Sequence, residues 1–171
     1  MRKAVFLDRD GVINKPKKGG YITDVSELEI LPGVAEAIKQ FNKSGYLVFI
    51  VTNQLGVSLG KIKKEDLKSI HMKILSHLNA AGTYIQEIIA CPNMSSFRKP
   101  ALGMFVDAVR RWDIDISQSI MIGDTLSDMM AAESLGCKKA FIISELSPPI
   151  YNSLLDAAKN ITELSIEAVT E

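Results

Sequence analysis

The chain has 171 residues, 47% hydrophobic and 23% charged, which is the balance of a globular protein with room for one core. Twenty basic residues match twenty acidic ones, and the net charge of zero argues against a nucleic acid or an anionic membrane as the main partner. No apolar run approaches the roughly 20 residues that cross a bilayer, and Cys91 and Cys137 lie far apart, which disfavours a disulfide framework.

Short apolar runs alternate with longer amphipathic segments along the chain. The apolar runs predict strands at residues 3–7, 46–51, 84–90, 119–122 and 139–143. The intervening segments, several of them followed by glycine, predict helices at 33–44, 64–81, 101–112, 127–135 and about 150–158. This alternation predicts an α/β fold, a three-layer, doubly wound and mostly parallel sheet in one domain over residues 1–171. Residues 14–24 form a long irregular segment and a candidate lid.

Two aspartates directly follow the first predicted strand. Asp8 and Asp10 are two residues apart, so an extended backbone directs both side chains to the same side. Like charges at such a distance repel each other unless a cation lies between them, and Mg²⁺ prefers oxygen ligands. The pair therefore predicts a metal site in which one carboxylate is free to act as nucleophile or acid/base.

Further polar residues follow the ends of later strands. Thr52-Asn53-Gln54 follows the second strand, Gly123-Asp124 follows the fourth, and Arg98-Lys99-Pro100 closes the loop after the third. Ligands of an open parallel sheet bind beyond the carboxyl ends of its strands. We therefore expect these loops and the acidic pair to form one site.

Four motifs in this order resemble the haloacid dehalogenase (HAD) superfamily. They are Phe6-Leu7-Asp8-Arg9-Asp10-Gly11, Val51-Thr52-Asn53-Gln54, Arg98-Lys99-Pro100 and Gly123-Asp124-Thr125-Leu126-Ser127-Asp128. The forms DRDG, TNQ and RKP are similar to those of the branch that contains the D-glycero-D-manno-heptose bisphosphate phosphatases and the histidinol-phosphate phosphatases. The resemblance implies a Rossmann-like HAD core without a large cap domain and a Mg²⁺-dependent phosphatase.

The resemblance also implies catalytic roles. Asp8 would attack phosphorus and form an aspartyl phosphate, and Asp10 would protonate the leaving alcohol and then take a proton from water. A neighbouring carboxylate and a dry site are expected to favour the protonated form of Asp10 in the first step. Asp8, the backbone carbonyl of Asp10, and Asp124 would hold Mg²⁺. Thr52 and Lys99 would contact the phosphoryl group.

The same resemblance implies a set of substrate contacts. Arg98 offers a planar fork for a phosphate or a pair of hydroxyls. The expected substrate-binding residues are Asn53, Gln54, Arg98, Gly20, Tyr21 and Thr125. For Asp128 two interpretations stay open: it braces Lys99 or the metal's water shell, or it caps the following helix together with Thr125.

The chain departs from that branch at two places. Relatives usually carry three cysteines and a histidine before the RKP motif, whereas residues 90–97 contain one cysteine and no histidine. One thiol cannot complete a four-ligand site, so no structural zinc is expected. The heptose enzymes commonly carry a lysine after the last motif's aspartate, and Thr125 stands there instead. Both departures affect the prediction of the substrate and leave the predicted type of reaction unchanged.

The expected function is therefore hydrolysis of a small phosphomonoester, with D-glycero-D-manno-heptose 1,7-bisphosphate as first candidate and histidinol phosphate as the alternative. A receiver-like phospho-acceptor module is an alternative of another class, but its phosphorylated aspartate ends the third strand. The expected partner is the phosphate ester, without nucleic acid or membrane. We expect a cytoplasmic protein without a signal peptide, and the open site is compatible with a monomer. His71 and His77 are expected to be non-catalytic.

Overall fold

The structure is a computed structural model and describes residues 1–142 and 151–167. Across these residues, five parallel strands form one sheet in the order β3-β2-β1-β4-β5. The strands are β1 (Ala4–Leu7), β2 (Leu47–Asn53), β3 (Glu87–Cys91), β4 (Ile120–Gly123) and β5 (Lys138–Phe141). The α-helices are α1 (Val34–Lys43), α2 (Lys64–Ala80), α3 (Gly103–Trp112), α4 (Leu126–Leu135) and α5 (Leu154–Glu167). The predicted doubly wound α/β fold is confirmed, and the described sheet is wholly parallel.

Side chains of the central strand alternate between two hydrophobic clusters on the two faces of the sheet. Val5 and Leu7 pack with residues of α1, α2 and α5, whereas Phe6 packs with residues of α3 and α4. The Phe6 ring lies 5.5 Å from Phe49 and 5.2 Å from Phe105, measured between ring centroids. A strand that is buried on both faces needs apolar residues at every position, which explains its continuous apolar sequence.

The element boundaries differ from the predicted ones by a few residues, with α5 as the exception. β2 extends to Asn53 because Thr52 and Asn53 still pair with β3. The last helix, predicted to end near residue 158, continues to Glu167. Residues 143 and 150, at the predicted ends of a strand and a helix, lie outside the described residues. No helix within residues 1–142 and 151–167 is long and apolar enough to span a membrane.

The topology places the end of β1 at the centre of the sheet. β2 pairs with one side of β1 and β4 with the other, so the chain order reverses at this strand. A crevice forms at such a reversal beyond the carboxyl ends of the strands. Asp8 enters this crevice directly after β1, and its backbone N–H donates to the carbonyl of Ile122 in β4 at 3.0 Å.

The segment after β1 is folded back into a tight turn. The carbonyl of Arg9 accepts hydrogen bonds from the backbone N–H groups of Ile13 (2.8 Å) and Asn14 (3.1 Å). Gly11 has a φ of +91°, and a Cβ at this position would collide with the carboxylate of Asp124. Glycine is therefore needed here both for the backbone conformation and for the approach of Asp124.

We expect the two faces of α3 to differ sharply in their contribution to stability. Phe105→Ala removes a ring that is fully buried against Phe6 and should lower the free energy of unfolding by about 3–5 kcal/mol. Val106→Ala, one residue further on the same helix and exposed, should change it by less than about 1 kcal/mol. Urea unfolding followed by circular dichroism measures both values. Equal losses would show that this side of the sheet is not the packed core described above.

Candidate active site

The ends of β1, β2 and β4 and the loop before α3 surround one cleft of about 290 Å³. Seven of the residues predicted from the sequence line it: Asp8, Asp10, Asn53, Arg98, Lys99, Asp124 and Thr125. Pro16 and Ser127 complete the lining. The fold thus brings together side chains from four separate loops.

Lys99 is the buried cation of this cleft. Its ammonium donates three hydrogen bonds, to Asp8 Oδ1 at 2.8 Å, Asp128 Oδ1 at 2.6 Å and the carbonyl of Val51 at 2.8 Å. An ammonium has three donors, so all of them are used. Burial lowers the pKa of Lys99, but the two carboxylates outweigh it and the pKa lies above its usual range. Lys99 therefore stays charged and fixes Asp8.

Asp128 combines the two interpretations that the sequence left open. Its Oδ1 accepts from Lys99, and its Oδ2 accepts from the backbone N–H of Thr125 at 3.2 Å and from the Thr125 hydroxyl at 2.7 Å. The side chain is completely buried. A Cβ at residue 123 would collide with Asp128, so Gly123 leaves the space it occupies. Asp128 both caps α4 and braces Lys99.

Three acids form a cluster at the cleft, and two of them, Asp8 and Asp124, line it. One carboxylate oxygen from each of Asp8, Asp124 and Asp128 lies within 4.8 Å of the others. Burial, opposed by Lys99, raises the pKa of Asp8, and burial together with Asp8 raises that of Asp124. Asp124 Oδ1 is buried without a hydrogen-bond partner among the residues described. A bound cation would supply this partner and offset the repulsion, so the cluster fits Mg²⁺.

Asp10 has a different electrostatic environment from Asp8. Its Oδ1 accepts from Arg9 Nη2 at 2.9 Å and Asn14 Nδ2 at 3.0 Å, and its Oδ2 accepts from Gln54 Nε2 at 3.0 Å. Burial raises the pKa of Asp10, but the charge of Arg9 and these hydrogen bonds outweigh it, and the pKa lies below its usual range. The expectation that its surroundings favour the protonated form is wrong for this site, because the nearest charge is Arg9.

The three residues that follow Val51 mainly hold other site residues. The Asn53 amide bonds the backbone of Lys99 in both directions, donating to its carbonyl at 3.0 Å and accepting from its N–H at 2.9 Å. Gln54 is buried behind Asp10 and also donates to the hydroxyl of Thr52 at 2.9 Å. Neither Thr52 nor Gln54 is among the side chains that line the cleft. The side chain of Gln54 therefore reaches the site through Asp10.

Gly20 and Tyr21 lie outside the cleft lining, in the loop that follows β1. Tyr21 packs on Gly56, where an added Cβ would lie 2.9 Å from its Cγ, and Lys61 Nζ lies 5.8 Å from its ring centroid. Pro16 is the residue of this loop that lines the cleft. The fold does not bring Gly20 and Tyr21 to the acidic cluster.

The arginine of the RKP motif faces the cleft from the loop after β3. Arg98 Nη1 is buried and has no hydrogen-bond partner within residues 1–142 and 151–167. The loop is held by its own hydrogen bonds: Cys91 Sγ donates to the carbonyl of Asn93 at 3.2 Å, and the Phe97 N–H donates to Ser95 Oγ at 3.3 Å. An unpaired guanidinium nitrogen at the cleft wall is suited to a ligand oxygen.

Two polar residues that support Asp10 were missed by sequence reasoning, as were Pro16 and Ser127 of the cleft lining. Arg9 and Asn14 are wholly buried although both are polar, and both donate to Asp10. Arg9 lies between two acids directly after a buried strand, and this position could have indicated that it belongs to the site. The sequence alone gave no indication for Asn14, because its approach to Asp10 depends on the turn after β1.

The fold and the site together define the class of protein. A central strand followed by an acidic pair, with the polar residues of later strand ends gathered around it, is the arrangement expected from the four motifs, and the structure adds that Lys99 binds Asp8. Residues 3–136 match the family model described as haloacid dehalogenase-like hydrolase, and the chain belongs to this family of enzymes. This membership sets aside the receiver-like alternative.

The chain is similar over most of its length to named phosphatases. It is 39% identical over 146 residues to the D-glycero-beta-D-manno-heptose-1,7-bisphosphate 7-phosphatase of Rhodopseudomonas palustris, covering 79% of this chain and 80% of that protein. It is 37% identical over 145 residues to the D-glycero-alpha-D-manno-heptose-1,7-bisphosphate 7-phosphatase of Campylobacter jejuni, covering 84% and 83%. The D,D-heptose 1,7-bisphosphate phosphatase of B. bronchiseptica, solved with magnesium and phosphate, superimposes with a TM-score of 0.86 at 28% identity, over 95% and 99% of the two chains.

The acidic cluster predicts how Asp124→Asn will respond to metal. In the presence of chelator the variant should unfold at a temperature equal to or above that of the wild type, because it removes one of three neighbouring carboxylates. Adding Mg²⁺ should raise the unfolding temperature of the wild type and leave that of the variant almost unchanged. Differential scanning calorimetry with and without Mg²⁺ measures both. An equal Mg²⁺ response of the two proteins would place the ion elsewhere.

Proposed function

We propose that the protein is a Mg²⁺-dependent phosphomonoesterase whose substrate is D-glycero-D-manno-heptose 1,7-bisphosphate, cleaved at the 7-phosphate. The observation that carries this proposal is Asp8, fixed by Lys99 beside Asp124 and facing an open cleft with Asp10. The heptose specificity is supported by the names of the relatives from R. palustris and C. jejuni. One of them acts on the beta anomer and the other on the alpha anomer, so the proposal covers the heptose and the position of the phosphate.

In the first half of the reaction, Asp8 attacks phosphorus, and the bond between phosphorus and the leaving oxygen breaks. The product is an aspartyl phosphate on Asp8, together with the free alcohol. Lys99 holds Asp8 Oδ1 and places a positive charge beside the phosphoryl group, which offsets the repulsion between a carboxylate and a phosphate. The Thr52 hydroxyl and the backbone N–H of Asn53 are proposed to bind the phosphoryl oxygens.

Asp10 exchanges the protons in this scheme. Its lowered pKa keeps Asp10 ionised, which suits the second half of the reaction. In that step Asp10 accepts a proton from the water that attacks the aspartyl phosphate. In the first half it must carry the proton that goes to the leaving oxygen. The negative charge of a bound phosphoryl group raises the pKa of a neighbouring carboxyl and opposes the effect of Arg9.

The metal would be held by the carboxylates of Asp8 and Asp124 and the backbone carbonyl of Asp10. The unpaired Asp124 Oδ1 and the raised pKa values of Asp8 and Asp124 support this assignment. When bound, Mg²⁺ neutralises charge on the acidic cluster and on the phosphoryl group.

The remainder of the substrate is proposed to contact the walls of the cleft. Arg98, with its unpaired Nη1, would bind hydroxyls or the second phosphate, and Thr125 stands at the exposed end of α4. Gly20 and Tyr21 stay proposed substrate contacts, provided that their loop approaches the ligand. We propose that one domain without a large cap, acting as a cytoplasmic monomer, suffices for this reaction.

The substrate can be tested by phosphate release over a panel of esters. The panel comprises both anomers of the heptose bisphosphate, other sugar phosphates, histidinol phosphate and nucleotides, each with Mg²⁺ and with chelator. We expect Mg²⁺-dependent turnover with preference for a heptose bisphosphate. Asp8→Asn should lower it by at least about 10³-fold, because it removes the nucleophile.

Retained activity of Asp8→Asn would overturn the mechanism. Preference for histidinol phosphate would overturn the sugar assignment and leave the chemistry intact. Glu36→Gln, an acidic residue of α1 away from the cleft, is the matched control and should keep wild-type turnover.

We further propose that the loop before α3 holds no structural zinc. Cys91 forms its contacts with Asn93 and Ser95 rather than with other metal-ligating groups, and the acids of the cleft are the group suited to a metal in the described part of the chain. Elemental analysis of the purified protein should give less than about 0.1 zinc per chain, and Cys91→Ala should keep its activity. Stoichiometric zinc that is lost in Cys91→Ala would contradict this proposal.

A further inference from the structure

The guanidinium of Arg9 is a charge with no exposure to solvent. Two hydrogen bonds determine its orientation: Nη2 donates to Asp10 Oδ1 at 2.9 Å, and Nη1 donates to His71 Nε2 at 3.2 Å. Its Nε has no hydrogen-bond partner among the described residues. The plane of the guanidinium is therefore fixed by one carboxylate and one imidazole.

His71 brings the imidazole from α2 to this position. Its neighbours on the helix, Ile70 and Ile74, are fully buried and anchor this face of α2 in the core. An arginine can only donate, so Nε2 of His71 must be the acceptor and the ring proton lies on Nδ1. Burial, followed by the charge of Arg9, lowers the pKa of His71 to about 4, and the ring is a neutral acceptor at neutral pH.

We propose that His71 is a positioning residue for the acid/base Asp10. By accepting from Nη1, the imidazole holds the Arg9 guanidinium against Asp10, and this contact keeps the carboxylate oriented toward the leaving oxygen. The inference rests on the proposed function in one respect only, the role of Asp10. His71 is not among the residues that line the cleft, so the proposed role acts through Arg9.

The expected effect is graded because Asp10 has other donors. Asn14 and Gln54 also bond its carboxylate, so the loss of His71 loosens one of three supports. General acid catalysis contributes about 10²–10⁴-fold, and a misoriented acid loses part of this factor. The loss in kcat/KM, which reports the steps up to formation of the aspartyl phosphate, must depend on the leaving group, because an alcohol needs its proton in the transition state, whereas p-nitrophenolate departs with little help.

The experiment compares kcat and KM of His71→Ala, His71→Gln and wild type on two esters. One is the sugar phosphate that the wild type turns over best, and the other is p-nitrophenyl phosphate. For His71→Ala we expect kcat/KM to fall about 10-fold on the sugar phosphate and less than about 2-fold on p-nitrophenyl phosphate. His71→Gln, whose Oε1 can accept from Arg9, should recover most of the loss. His77→Ala, an exposed histidine of the same helix, is the matched control and should equal the wild type.

Equal losses on both esters would show a merely structural role and overturn the proposal, as would a Gln variant as impaired as the Ala variant. Thermal unfolding of each variant confirms that it is folded. If His71→Ala does not fold, His71→Leu fills the space without an acceptor, and the ratio of its kcat/KM values on the two esters decides. If the wild type turns over no sugar phosphate, the proposed substrate fails, and the comparison of glycerol phosphate with p-nitrophenyl phosphate still tests His71.

Discussion

The site depends on a buried ammonium. Lys99 lies among Asp8, Asp128 and the carbonyl of Val51, and it is almost completely shielded from solvent. A buried charge is costly unless it is paired and all its donors are used, and here both conditions hold. Through this one group the ends of β1 and β2 and the beginning of α4 are fixed relative to one another. The proposed nucleophile, Asp8, is therefore held in place by the fold itself.

A second buried cation gives the two aspartates after β1 different properties. Asp8 forms an ion pair with Lys99 and lies close to the carboxylates of Asp124 and Asp128. Asp10 forms an ion pair with Arg9 and is not part of this acidic cluster. The carboxylate of Asp8 belongs to the acidic cluster that favours a metal ion, and the carboxylate of Asp10 accepts three hydrogen bonds, one of them from the positive charge of Arg9. This difference in surroundings fits the proposed roles of the two aspartates, Asp8 as nucleophile and Asp10 as acid/base.

Much of the fold could be predicted because its signals are local. The apolar strands, the glycines after helices and the acids after β1 need only a few neighbouring residues to be interpreted. The predicted end of α5 near residue 158 was wrong, because the helix continues to Glu167. α5 packs along α1, and this packing stabilises the helix where the local sequence signals are weak. The role of the Gln54 side chain could not be predicted either, because an amide after a strand can face the cleft or support Asp10. The packing of the folded chain determines which of the two it does.

Residue types and their spacing along the chain were enough to predict the order of strands and helices, the family and the acids at the end of β1. The lowered pKa of Asp10, the double role of Asp128 and the contact between Arg9 and His71 depend on the folded structure. The last pair is separated by 62 residues, and Lys99 and Asp8 by 91. The pKa of a group and its hydrogen-bond partners depend on distance and burial, which do not exist until the chain has folded.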